Sequence, residues 1–231
     1  MNDVIEQLSS MDIFSTLDRN ALNYLALRCS VLDYPSAQTV IACGEYGAEV
    51  FFIVSGLLRA TLLTPQGREI SYQDLQPGEM FGELAAIDRG PRTTHVITQQ
   101  PSRLLMISGD TFTDLLARYP QVSAATLHKM AAMVRSLCER VYNYSALDVT
   151  RRVRAELLRL ACSLPRSDRT QAVPGEIKNM PKHQELANRL ATHREAVSRE
   201  LTALEKAGII ARHKDSVLIH DIETLQYMVN D

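Results

Sequence analysis

The sequence predicts an α+β protein in two parts: an N-terminal β-roll, joined by a long dimerisation helix to a C-terminal winged helix-turn-helix. Three observations predict it. Eight of the ten glycines fall between Gly44 and Gly109, separating short β-rich segments. From Gln121 to Asp148 there is no Gly or Pro, and apolar residues recur in heptads. Near the C-terminus, KHQELANRLATHREAVSRELTALEKAGII reads as two short amphipathic helices around a tight turn.

The N-terminal elements come first. MNDVIEQLSSMDIF has acids and amphipathic spacing rather than a basic start and an apolar run, so no signal peptide is read and a cytoplasmic protein is expected. LDRNALNYLALRC follows a Ser/Thr cap signal and sets Ala21, Leu22 and Leu25 at helical spacing. The segments QTVIA, EVFFIV, LLRATLL, EISYQDL, THVITQ and RLLMIS then read as strands, with turn glycines between them. Short strands at this spacing make a compact antiparallel sandwich or roll.

Leu127, Met130, Val134, Leu137, Val141 and Tyr144 follow one another at intervals of 3, 4, 3, 4 and 3. This seam is the pattern of a helix that pairs with a copy of itself, giving a homodimer helix at about 121–147. A long helix packed on its own domain is the competing reading. The seam stops before Asp148, where LDVTRRVRAELLRLAC starts a new helix that Asp148 or Thr150 can cap. Domains of 1–147 and 148–231 follow. LPRSDRTQAVPGEIKNMP is polar, carries three prolines and reads as loop.

In the last module Leu186, Ala187 and Leu190 face inward from the first short helix, and Val197, Leu201 and Leu204 from the second. Ala191–Thr192 is the turn, with Thr192 as N-cap, and Gly208 ends the second helix. GIIARHKDSVLIHD reads as two strands around a polar turn, a wing. In such a unit the start of the second helix enters the major groove. It would offer Arg194, Glu195, Ser198 and Arg199 to base edges: Arg bonds two acceptors of guanine, and Glu accepts from cytosine. A solvated face with a Glu195–Arg199 pair is the competing reading. The complete helix, turn, helix and wing after a dimer helix favours double-stranded DNA.

Composition is consistent with this division. With 231 residues, 45% hydrophobic and 23% charged, the chain can bury a core, mostly aliphatic because Trp is absent and aromatics are 6%. No apolar run approaches the roughly 20 residues of a membrane span. Residues 151–231 hold 14 Lys+Arg against 11 Asp+Glu, net +3, leaving 11 against 16, net −5, in the remainder. A mildly basic end on an acidic body permits nucleic-acid binding there. Cys29, Cys43, Cys138 and Cys162 are scattered and read as free buried thiols, not as metal ligands. No nucleophile–base set, metal set or phosphate-binding P-loop is found, so the chain does not read as an enzyme.

The stretch FGELAAIDRGPRTTHV (81–96) places Arg92 between a Pro and two Thr residues, nine positions after Glu83. With FGELA, PRTT, LDVT and HREAVSRELTALEKAGII in order over nearly the whole chain, the sequence resembles the cyclic-AMP receptor / fumarate-nitrate regulator family of bacterial transcription factors. The resemblance implies a cyclic-nucleotide-binding-like roll and a homodimer on a two-fold-symmetric promoter site, with contacts to RNA polymerase. A buried cyclic phosphodiester needs a chelating cation, which Arg supplies, and backbone N–H groups, which a short helix beginning at Gly82 supplies. By the family pattern Arg92 takes the phosphate, Thr93 adds a bond to phosphate or base, and Glu83 takes the ribose hydroxyl. Gly82, Leu84 and Ala85 line the cradle. A simple Glu83–Arg92 salt bridge tying two loops is the alternative. The DNA-contacting set implied is Lys182, His183 and Gln184 at the start of the first helix, then Thr192, His193, Arg194, Glu195, Ser198 and Arg199.

Two positions depart from the family pattern. Leu137 and Cys138 stand where adjacent hydroxyl residues of the cyclic-AMP receptor read the adenine amino group. His193 stands where a Ser often precedes the Arg-Glu pair. The iron–sulfur branch needs clustered N-terminal cysteines, which are missing, and lone His95 and His128 give little reason to expect haem. The expected effector is cyclic AMP and/or cyclic GMP, because Arg92-Thr93 resembles the Arg-Thr pair of cyclic-GMP sites in eukaryotic kinases and channels. A member sensing another effector, or none, is the alternative.

Overall fold

Val50–Ser55 (β3) has four consecutive residues that are all buried, and this places it at the centre of the N-terminal unit. Side chains on a strand alternate between faces. Phe51 and Ile53 join one apolar cluster with Ile41, Leu58, Phe81, Val96 and Leu104, between the sheets. Val50 and Phe52 join a second cluster with Leu8, Phe14, Leu25, Phe112 and Leu115, under the helices. A strand covered on both faces reads as a continuous apolar run, which VFFIV (50–54) is.

The computed structural model describes residues 2–63, 69–162, 175–178 and 180–230. Asn2–Ser9 (α1) and Arg19–Ala26 (α2) precede two four-stranded antiparallel sheets. One sheet has the order β1-β8-β3-β6, from Ser30–Tyr34 (β1), Ser102–Ile107 (β8), β3 and Met80–Phe81 (β6). The other has the order β2-β7-β4-β5, from Thr39–Ile41 (β2), His95–Thr98 (β7), Leu58–Leu63 (β4) and Glu69–Leu75 (β5). Glu83–Asp88 (α3) follows β6, and Gly109–Arg118 (α4) follows β8. The expected roll is therefore present, with β1 and β6 added to the strands read from sequence. The cap of α2 is Asp18, whose carboxylate accepts from the Ala21 N–H, rather than the Ser/Thr pair before it.

Pro120–Ala146 (α5) is the long helix, and Leu147 and Asp148 break it before Val149–Cys162 (α6). Asp148 caps α6 by accepting from the Arg151 N–H at 2.9 Å. Contacts group the chain as Met1–Val134 and Arg135–Asp231, so the division falls inside α5. On α5 only Val122 and Thr126 are buried, while Leu127, Val134 and Val141, seven apart, are exposed. A helix packed along its length on its own domain does not have that face.

The second unit holds α6, His183–Arg189 (α7), Arg194–Lys206 (α8) and Ile222–Asn230 (α9), with Ile210–Arg212 (β10) and Ser216–Ile219 (β11) as the wing. Val153, Leu157, Leu186, Ala187, Val197, Leu201 and Leu204 form its core. Glu176–Lys178 (β9) pairs antiparallel with β11, although the sequence reads this stretch as loop. Of the rest of that expected loop, residues 164–174 and 179 lie outside the described residues. α8 ends in a Schellman motif: Gly208 at φ +73, its N–H on Glu205 O, and the Ile209 N–H on Leu204 O. Two expectations need correction. His193, not Thr192, is the N-cap of α8, because Thr192 is buried after Ala191 takes a left-handed φ of 49°. The thiols are free, but none is fully buried: Cys29 and Cys43 are half-buried, and Cys138 and Cys162 are exposed.

Candidate anion cradle and nucleic-acid interface

The cradle is built where β6 turns into α3. Gly82 sits at φ +86, a left-handed conformation that a Cβ disfavours. A Cβ there would lie 2.7 Å from Arg92 Nη1 and 2.7 Å from Glu49 O. The glycine therefore lets the guanidinium lie against the chain. Arg92 Nη1 donates to Gly82 O at 3.0 Å, and Nη2 donates to Glu49 O at 3.0 Å and Glu49 Oε2 at 2.9 Å. Three of the five N–H groups are thus engaged. The backbone of Arg92 is pinned as well: its N–H donates to Glu45 O, and its carbonyl accepts from Gly44 N–H, both at 2.8 Å. The residue is 6% exposed.

The simple salt bridge between Glu83 and Arg92 is not formed. Arg92 pairs with Glu49, and Glu83, 3% exposed, pairs with Lys129 of α5 at 3.5 Å. Lys129 Nζ also donates to Met80 O. Beside it, burial raises the carboxyl of Glu79 above its ordinary range, with the Lys129 charge opposing that shift. Ala85 is buried and Leu84 half-buried, while Thr93 is exposed, its carbonyl accepting from Cys43 Sγ at 3.4 Å. Glu49 and Lys129 are functional candidates that the sequence reading passes over. Lys129, one position from the seam residue Met130, is the only lysine of α5 and was the available signal. Leu137 and Cys138 lie further along α5, in the second unit, Leu137 half-buried and Cys138 exposed.

In the second unit α8 presents His193, Arg194, Glu195 and Arg199 as exposed residues, with Ser198 half-buried beside them. Among the described residues, Glu195 and Arg199 do not pair with each other, so the helix-surface ion pair is absent. His193 caps α8 with backbone alone, since its side chain makes no cap hydrogen bond. Lys182 and Gln184 are exposed at the start of α7, and Gln184 Nε2 donates to Asn188 Oδ1 within that helix. Burial, with the charges of Arg212 and Arg194, pushes the imidazole of His183 below its ordinary value. Thr192 is largely buried at the turn, 7% exposed.

This geometry agrees with the comparisons. Residues 31–119 match the model of the cyclic nucleotide-binding domain, and residues 151–228 match that of the Crp-like helix-turn-helix domain. A CRP-like cAMP-activated global transcriptional regulator of Mycobacterium tuberculosis is 30% identical over 220 residues, 95% of this chain and 97% of that protein. In fold, the chain is similar to a mutant CooA from Carboxydothermus hydrogenoformans, with a TM-score of 0.81 at 17% identity over 96% of this chain and 97% of that one. It is also similar to the c-di-GMP responsive global regulator CLP of Xanthomonas campestris, with a TM-score of 0.72 at 20% identity over 88% and 100%. Together these define a DNA-binding transcription regulator, not an enzyme, that carries a cyclic-nucleotide-binding domain. The chain belongs to the CRP/FNR family.

Proposed function

We propose that the chain is a homodimeric regulator that binds palindromic promoter DNA in response to a cyclic nucleotide, cyclic AMP and/or cyclic GMP. The observation that carries the effector reading is Arg92: a nearly buried guanidinium, held by two backbone carbonyls at a glycine that makes room for it. A buried cation is costly without an anion, and an arginine fixed in this way is ready to bond a phosphate. Arg92 takes the phosphate, Glu83 the ribose hydroxyl and Thr93 the phosphate or base, with Gly82, Leu84 and Ala85 around them. Leu137 and Cys138 meet the base. In the second part, taken as 148–231, Arg194, Glu195, Ser198 and Arg199 read base edges, with Lys182, His183, Gln184 and His193 beside them. The exposed Leu127, Val134 and Val141 support the dimer, the state in which the family binds DNA. RNA polymerase is the further partner.

Calorimetric titration with both cyclic nucleotides tests the reading. Leu137 cannot hydrogen-bond an adenine amino group and Cys138 does so weakly, while a Thr93 hydroxyl can reach a guanine amino group. One such bond contributes about 0.5–1.5 kcal/mol. The two ligands are therefore expected within about tenfold of each other, with Thr93→Ala weakening cyclic GMP more than cyclic AMP. Arg92→Ala is expected to abolish both. The second reading, a family member with another effector or none, is favoured by Leu137 and Cys138 and gains if neither nucleotide gives heat.

A further inference from the structure

We propose that Glu49 is a built-in competitor for the effector: its carboxylate occupies the anion position of Arg92 in the free protein and leaves it when a phosphate binds. The inference rests on the reading of Arg92 as the phosphate-binding cation. The pair is asymmetric, since the Arg92 side chain is 5% exposed and that of Glu49 49%. The guanidinium is fixed to Gly82 O and Glu49 O, backbone atoms that stay when the carboxylate goes. The carboxylate, by contrast, sits at the end of a half-exposed side chain whose described polar contact is Nη2 of Arg92. Gly47 leaves room for it: a Cβ there would lie 2.8 Å from Glu49 Oε2 and 3.4 Å from Arg92 Nη2.

The chemistry favours an exchange of one anion for another. Carboxylate and phosphodiester oxygens are both acceptors for a guanidinium. Without an anion the nearly buried Arg92 charge is uncompensated, so Glu49 stabilises the free protein. Once a phosphate arrives, two anions on one guanidinium repel each other, and the exposed one regains water by leaving. Glu83 does not take this role, because Lys129 already pairs with it. The measured affinity is then lowered by the fraction of sites in which Glu49 is seated.

The test is calorimetric titration of the full chain with cyclic AMP and cyclic GMP, comparing the parent with Glu49→Gln. Both nucleotides are expected to bind Glu49→Gln about tenfold more tightly, and the thermal midpoint of the free variant falls. Glu49→Asp, one methylene shorter, moves affinity in the same direction and serves where the Gln variant fails to fold. Equal affinities in parent and variants overturn the competitor and leave the phosphate reading of Arg92 standing. Weaker binding by the variants also overturns it, and makes Glu49 a residue that holds Arg92 for the ligand. No binding by parent or variants overturns the competitor together with the reading beneath it.

Discussion

Gly82→Ala separates backbone strain from crowding at the cradle, because the chain contains a matched control. Gly82 has φ +86 and Gly78 has φ +87. An added Cβ at Gly78 meets nothing within 4 Å, whereas at Gly82 it meets Arg92 Nη1 and Glu49 O, each at 2.7 Å. Left-handed backbone costs a non-glycine residue about 1–2 kcal/mol, and both substitutions carry that cost. Only Gly82→Ala must also move a nearly buried guanidinium, and a hydrogen bond to a charged group contributes about 1.5–3 kcal/mol. Gly78→Ala is therefore expected to cost about 1–2 kcal/mol and Gly82→Ala about 2.5–5 kcal/mol. Denaturant unfolding at one fixed protomer concentration measures both, since the stability of a dimer depends on that concentration. Cyclic-nucleotide affinity should fall about tenfold or more in Gly82→Ala and hold in Gly78→Ala. Equal destabilisation by the two, with unchanged affinity in both, would refute the claim that Gly82 exists to seat Arg92.

Three further outcomes are expected. Ala191, at φ 49°, carries left-handed strain in the helix-turn-helix, so Ala191→Gly should stabilise the protein by about 0.5–1 kcal/mol in denaturant unfolding. Arg199→Ala should weaken binding to the best DNA site by about 1–3 kcal/mol and relax base preference there, with much less effect on nonspecific DNA, as read by fluorescence anisotropy. Val134→Lys changes a residue that is 57% exposed in the single chain, so the fold should survive it. Sedimentation should nevertheless show the dimer weakened by like charges facing in the seam, and an undisturbed dimer would remove α5 as the interface.

How much of this was legible depends on whether the signal is local. The helix-turn-helix was legible because Leu186, Ala187, Leu190, Val197, Leu201 and Leu204 stand at helical spacing and are all buried. β9 was missed because Glu-Ile-Lys places one apolar residue between polar ones, and its strand character comes from pairing with β11. Thr192 was taken for a cap on hydroxyl preference alone. The turn spends Ala191 on a left-handed residue, so the cap falls one residue later. At the cradle, Arg92 announced itself as a cation amid apolar and β-branched residues. Its partner Glu49 is 43 positions away, and Lys129 reaches Met80 O across 49. Pairings at such distances are made by tertiary approach and leave no periodicity in the sequence.

Those same long-range pairings bear on how an effector would act. A ligand moves a conformational equilibrium only through contacts that differ between the two states. Taking a site from 1:99 to 99:1 requires about a 10⁴-fold difference in affinity, far more than one hydrogen bond supplies. The bonds of Arg92 to Gly82 O and Glu49 O lie wholly within the roll, so an effector held by Arg92 alone has little reason to distinguish the states. Glu83 differs, because its ion pair is with Lys129 on α5, the helix that also bears the exposed seam and, near its other end, donates from the Tyr144 hydroxyl to Arg189 O of α7. A ribose hydroxyl that claims Glu83 must share it with Lys129. Lys129→Met should therefore change the dependence of DNA binding on the nucleotide more than it changes the affinity for the nucleotide itself. Anisotropy titrations of DNA with and without saturating nucleotide measure the first and calorimetry the second, and a variant that shifts only the calorimetric affinity would show that α5 is not the element the effector biases.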